Sequence, residues 1–186
     1  MKYIKGFFLT LIILIIVAIL LRGPIFRSLI TYDSIGEREN YLITDDNLAY
    51  YIDSGAESLL DPNVEQIIKL SLSLTSNQLN FTFEKNDNDP NLLITSKTAH
   101  CVGYAHFFAT TCNYLLEKHG FSADWLATPR VGQMSFIGID MHQFFNSPFF
   151  RDHDFVVIEN LKTGEKFAVD PSVHDYLGID FISYRK

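Results

Sequence analysis

A chain of 186 residues has room for one domain, or for one domain and a membrane segment. Hydrophobic residues make up 47% of it, with 16 Phe and 9 Tyr, so it can fill a core without disulfide staples. The net charge of −7 argues against nucleic acid as a partner, because so acidic a surface repels phosphate backbones.

Residues 6–21 carry no charge and are dominated by Leu, Ile, Val and Phe. The run is slightly short for a hydrocarbon core of about 30 Å, and Tyr3, Ile4, Lys2 and Lys5 extend it on one side. A cleaved signal peptide shares the basic start and apolar middle. This run is longer than the usual apolar region, and it ends in Arg22-Gly23-Pro24, not in a small-x-small site. Residues 1–22 therefore read as one retained transmembrane helix. A slight positive-inside bias puts the N-terminus in the cytoplasm and the domain outside. Residues 23–45 read as a stalk or as the first contact of the domain, and residues 46–186 as the domain itself.

Asp61-Pro62 predicts a helix start, with Val64, Ile67, Ile68 and Leu72 at helical spacing and an end near Ser76. Phe81-Thr82-Phe83 is a short β-like run, and residues 86–90 form a loop by composition. A second helix is predicted between Thr98 as cap and Gly120 as stop. Val102, Tyr104, Phe107, Phe108, Cys112, Leu115 and Leu116 cover nearly its whole circumference, which marks a buried helix. His100, His106 and His119 argue against its crossing a membrane. Residues 121–127, 154–159 and 166–169 have strand composition, and the last two are joined by a turn containing Gly164. The expected class is α+β, a buried helix on an antiparallel sheet.

A thiol transfers acyl groups as a thiolate, which a positive environment favours. Cys101, in the first turn of the predicted buried helix, receives it from the helix dipole and the unpaired N–H groups there. His153 starts one strand and Asp170 ends the next strand of the same hairpin. Neighbouring strands lie about 4.8 Å apart, so opposed side chains can bond. The expectation is a Cys101–His153–Asp170 triad, the carboxylate holding the imidazole in one tautomer.

These residues resemble the transglutaminase-like superfamily of papain-like thiol enzymes. The blocks that carry the resemblance are Cys101 with Tyr104-Ala105, His153 before Phe155-Val156-Val157-Ile158, and Asp170-Pro171-Ser172, within residues 63–176. The resemblance implies a Cys-bearing helix packed on an antiparallel sheet, and an enzyme that acts on amide bonds through a thioester. Peptidase, amidase and acyltransferase outcomes all fit it, with a peptide or protein substrate. A catalytically inactive binding module tethered to the membrane is the alternative, and a structural envelope protein the third reading. Two departures stand out: His100 where the family often has Gly, and Asp154 between His153 and the first aromatic. Gln78, with Asn77 and Asn80 behind it, is the candidate donor to the oxyanion, and Trp125 lies on the wrong side of Cys101.

Cys112 reads as core. On one helix it lies about 16 Å from Cys101, too far for a disulfide. His100, Cys101, His106, Cys112 and His119 lack metal-ligand spacing, so neither a metal nor a cofactor is expected. His142, the rival imidazole, reads as loop, Asp152 and Asp154 as solvated flanks, and His174 and Asp175 as surface.

Overall fold

The computed structural model describes residues 2–144 and 152–185. It is mixed α and β, with a mostly antiparallel sheet. Helix α1 (Lys2–Leu20) breaks at Leu21 and continues as α2 (Arg22–Leu29), at an angle of 71° to the Thr10–Leu20 stretch. Among the described residues no single helix is long and apolar enough to cross a membrane, although the bent pair is when taken together. The side chains of Lys2 and Lys5, expected to reach the interface, lie outside the described residues. Arg22 accompanies the break, its guanidinium donating to the carbonyls of Ile19, Leu177 and Gly178.

Residues 30–37 are no stalk. They form β1 (Ile30–Glu37), which pairs antiparallel with β4 (Trp125–Phe136) and parallel with β8 (Ser183–Arg185). The sheet runs β7 (Lys166–Val169), β6 (His153–Asn160), β4, β1, β8, with β5 (Ile139–Asp140) folded back on β4. β4 is far longer than the strand expected over residues 121–127, because β1 supplies the second partner for its far half.

Three helix starts also differ from expectation. After α3 (Asp46–Gly55), α4 (Val64–Gln78) is capped by Asn63 with Gln66 in a reciprocal capping box, while Asp61 has φ 46° outside the helix. Asp89-Pro90, expected to be loop, caps and opens α5 (Pro90–Ser96). Thr98 lies in the two-residue β3 (Thr98–Ala99), beside β2 (Asn80–Phe81), and His100 instead caps α6 (Cys101–Lys118). Gly120, at φ 78°, follows this helix as expected.

Helix α6 lies against β4 and β6. Its Phe107, Phe108, Leu115 and Leu116 join Ile67, Ile68 and Leu72 of α4, and Val156 and Ile158 of β6, in the main core. Asn113 fixes the register of helix on sheet: its side-chain amide donates to the Ala127 carbonyl at 2.9 Å and accepts from the Ala127 N–H at 2.8 Å. Phe155 and Val157, on the alternate face of β6, pack with Tyr32, Met134 and Ile182 in a second, smaller cluster. With both faces covered, β6 is buried from His153 to Ile158.

Candidate active site

Cys101 is the first residue of α6, and the turn before it is pinned from both sides. Lys97 ends α5 at φ 58°, and Asn80 and Thr82 donate to the carbonyls of Lys97 and Ala99. Two residues into the helix, a side chain on Gly103 would begin 2.7 Å from the Ala99 Cβ, so only glycine permits this approach. His100 has extended backbone, and its Nδ1 accepts from the Val102 N–H at 3.3 Å. The residue just before the thiol is therefore the helix cap.

His153 opens β6 opposite Gly132 of β4 and is fully buried. A Cβ on Gly132 would meet the Phe155 ring at 2.6 Å, so this glycine leaves room for that ring against β4. The His153 Nε2 lies 2.5 Å from Asp170 Oδ2. Asp170 is not directly opposite His153: Val169 pairs with Val156, so the carboxylate reaches its partner diagonally.

Pro171 does more than terminate a strand. It opens α7 (Pro171–Leu177), with Asp170 as N-cap. Asp170 Oδ1 accepts from the N–H groups of Ser172 and Val173, both at 3.1 Å, and from Ser172 Oγ at 2.7 Å. Its Oδ2 accepts from the Tyr32 hydroxyl at 2.7 Å as well as facing the imidazole. Burial opposes the Asp170 charge, but His153 and these donors outweigh it and hold the carboxyl below its usual value.

Burial likewise opposes a charged His153, and Asp170 together with Cys101 raises the imidazole well above the ordinary range. With Nε2 given to Asp170, Nδ1 is the ring nitrogen left for the sulfur. Cys101 is held down to about 6. Burial pushes it up, and the hydrogen bonds and charge from His100 and His153, with the Asp154 backbone amide, more than offset this. The arrangement favours a thiolate–imidazolium pair at neutral pH.

Asp154 is not a solvated flank. Alternation along β6 turns it away from His153 into a fully buried position, where Arg38 grips its carboxylate with both Nε and the second terminal nitrogen. Beside Val102 and Arg38 a polar cleft of about 670 Å³ opens, which Glu39, Tyr41, Asp89 and the buried His106 also line. His106 is pushed down to about 4, mainly by burial and next by Arg38, so it is neutral there.

Gln78 is committed elsewhere: it is buried and its amide donates to the Ile94 carbonyl at 2.7 Å, tying α4 to α5. Asn77 and Asn80 are exposed. As first residue of α6, Cys101 has a backbone N–H without an intrahelical partner, a donor beside the sulfur that helix geometry supplies. His142 lies in a single 3₁₀ turn, Met141–Gln143. His174 and Asp175 are not simple surface, since His174 faces Asp180 at 3.1 Å and Asp175 accepts from the Tyr104 hydroxyl at 2.8 Å. Both cysteines are free, and among the described residues no three His, Cys, Asp or Glu side chains converge to hold a metal ion.

The structure thus brings Cys101, His153 and Asp170 together and leaves Gln78 out. Tyr32, Arg38 and the buried role of Asp154 are additions. The β-branched and aromatic run Ile30-Thr31-Tyr32 was the one signal in the sequence for the strand that carries the first of these. No family model, curated protein or solved structure matches this chain.

Proposed function

We propose that this chain is a membrane-anchored thiol enzyme acting on amide bonds through Cys101, His153 and Asp170, built on a papain-like core of the transglutaminase-like type. The observation that carries the reading is the buried His153 held at 2.5 Å by Asp170 beside a thiol lowered to about 6 at a helix N-terminus. In such a site the thiolate attacks the amide carbonyl carbon, and the Cys101 N–H is a donor to the oxyanion. His153 then gives its proton to the leaving amine as the C–N bond breaks, leaving a thioester. Water or an amine attacks the thioester, His153 takes the proton, and the thiolate returns. Peptidase and amidase share water as the acceptor and differ in the amide their groove admits, whereas an acyltransferase takes an amine.

The apolar α1, exposed on every side that is described, supports the anchor. The side of the membrane proposed for the domain is the extracytoplasmic one, on the charge bias of the flanks. The second reading is an inactive binding module, and the engagement of Gln78 with Ile94 favours it, since it removes the side-chain donor expected beside the thiol.

Incubation of the full-length protein with an activated peptidyl ester or amide, followed by mass spectrometry, separates the two. A covalent acyl adduct on Cys101 that decays with water or amine supports the enzyme. Alkylation of Cys101 without any acyl adduct or turnover supports the binding module.

A further inference from the structure

The turn joining β4 to β5 is built against its own backbone preference. Phe136 and Ile139 pair across a two-residue loop whose members, Ile137 and Gly138, have φ 50° and 76°. Glycine adopts this conformation freely and asparagine tolerates it, whereas a β-branched residue is a genuine outlier there. The strained residue is also wasted as packing, since Ile137 is 62% exposed, and Phe136 and Ile139 beside it are exposed too. A costly apolar tip facing outward calls for a surface to cover it.

Its place in the fold indicates which surface. The Ile137 N–H donates to the carbonyl of Leu29, the last residue of α2, at 2.8 Å, and Ile30 pairs with Phe136. At its other end α2 is held by Arg22 on Leu177 and Gly178. This short helix therefore runs from the end of α1 to the hairpin, and its bend of 71° from α1 turns it toward the plane of the bilayer that α1 enters. It presents Ile25 outward, and its charged residues are Arg22 and Arg27, with no acid, which suits anionic headgroups. α2 thus joins the end of α1 to the hairpin tip and carries the exposed Ile25.

We infer that Phe136, Ile137 and Ile139, with Ile25 of α2, form a second membrane contact, inserted at the headgroup boundary of the bilayer that α1 enters. The inference rests on α1 being the anchor. Gly132, opposite His153, lies four residues from Phe136, about 13 Å along β4. The thiol centre is then held close above the lipid surface, facing substrates that are themselves membrane-bound or membrane-adjacent.

Full-length Ile139→Trp and Phe136→Trp, reconstituted in an equal mixture of phosphatidylcholine and phosphatidylglycerol, test this. Both positions lie in strands, so neither variant disturbs the left-handed turn. Lipids brominated near the top of the acyl chain are expected to remove about half of the emission added by either tryptophan. Leu126→Trp, at the far end of β4, is expected to stay unquenched. Ile137→Asn is expected to raise the Tm in detergent, because asparagine suits the turn, and to weaken the quenching of Ile139→Trp. Tip tryptophans no more quenched than Leu126→Trp, in protein that resists alkaline carbonate extraction, would overturn the contact alone. Release of the wild type by carbonate would overturn the anchor and the contact with it.

Discussion

The two cysteines share one helix and behave as different chemical groups. Cys101 lies at the first residue of α6, partly exposed, with its thiol at about 6. Cys112 lies three turns on, wholly buried, and burial, opposed only by a hydrogen bond from Ser71, pushes it up to about 12. Burial raises both. What separates them is the company: two histidines and a backbone amide meet the first sulfur, whereas the Ser71 side chain amid aliphatic and aromatic walls meets the second. The acidity of the thiol follows its place in the helix and not the residue type.

The largest effect should come from exchanging the two truncations. Cys101→Ala is expected to abolish acyl-enzyme formation, a loss on the order of 10⁶-fold, while the melting curve stays nearly unchanged. Cys112→Ala is expected to leave acylation intact and to cost about 1 kcal/mol through a small cavity. Acylation assays and thermal melts on both variants would break the contrast if the two effects came out reversed.

Next is the carboxylate behind the imidazole. Asp170→Asn is expected to slow acylation by about 10²-fold. Asn can still accept from the ring but carries no charge, so the imidazolium loses its largest favourable partner and the His153 pKa falls. A less cationic ring supports the thiolate less, so the Cys101 pKa rises from about 6. The acid limb of the rate profile therefore moves up, the alkaline limb moves down, and the plateau narrows from both sides. Iodoacetamide rates against pH read the first limb directly. An unmoved acid limb would reduce Asp170 to the cap of α7.

Arg38→Ala sharpens the comparison from the other face of β6. It leaves the buried Asp154 carboxylate without its counter-ion, and the expected loss is about 2 kcal/mol, below that of a fully buried pair because Arg38 is 34% exposed. Arg38→Lys, with one point charge in place of a two-pronged grip, should recover only part of it in a thermal melt.

The smallest effect is assigned to His100→Gly, which removes the side chain that caps α6. Glycine is nearly as good a cap, so stability should change by only a few tenths of a kcal/mol. The thiol loses one of its hydrogen bonds, and its alkylation profile should shift to higher pH. A profile that stayed in place would assign the depressed thiol to His153 and the helix end alone.

Local chemistry was legible where a single stretch of chain contains its own cause. The apolar circumference of residues 101–118, the left-handed stop at Gly120 and the β6–β7 hairpin with Gly164 at φ 75° follow from periodicity and turn preference. Cys101 at the helix start and His153 at the strand start are of the same kind. The three Asp-Pro pairs mark the boundary of that legibility. Asp89-Pro90 and Asp170-Pro171 each cap and open a helix, whereas Asp61-Pro62 stands outside one, because Asn63 and Gln66 form a better box two residues later. Sequence by itself could not rank the three.

What the sequence determined is therefore a helix with a thiol at its head, a hairpin with an imidazole and a carboxylate, and an apolar N-terminus. Tertiary structure decided which distant groups complete the centre. Tyr32 reaches Asp170 across 138 positions and Arg38 reaches Asp154 across 116, and both come from residues that read as a stalk or as the first contact of the domain. No period or propensity encodes such partners, because their placement depends on β1 finding the open edge of β4. The same docking turned Asp154 from an apparent surface acid into a buried one, and the approach of α5 to α4 drew Gln78 to Ile94. Spacing along a chain fixes what an element presents, and only the closing of the sheet fixes what it meets.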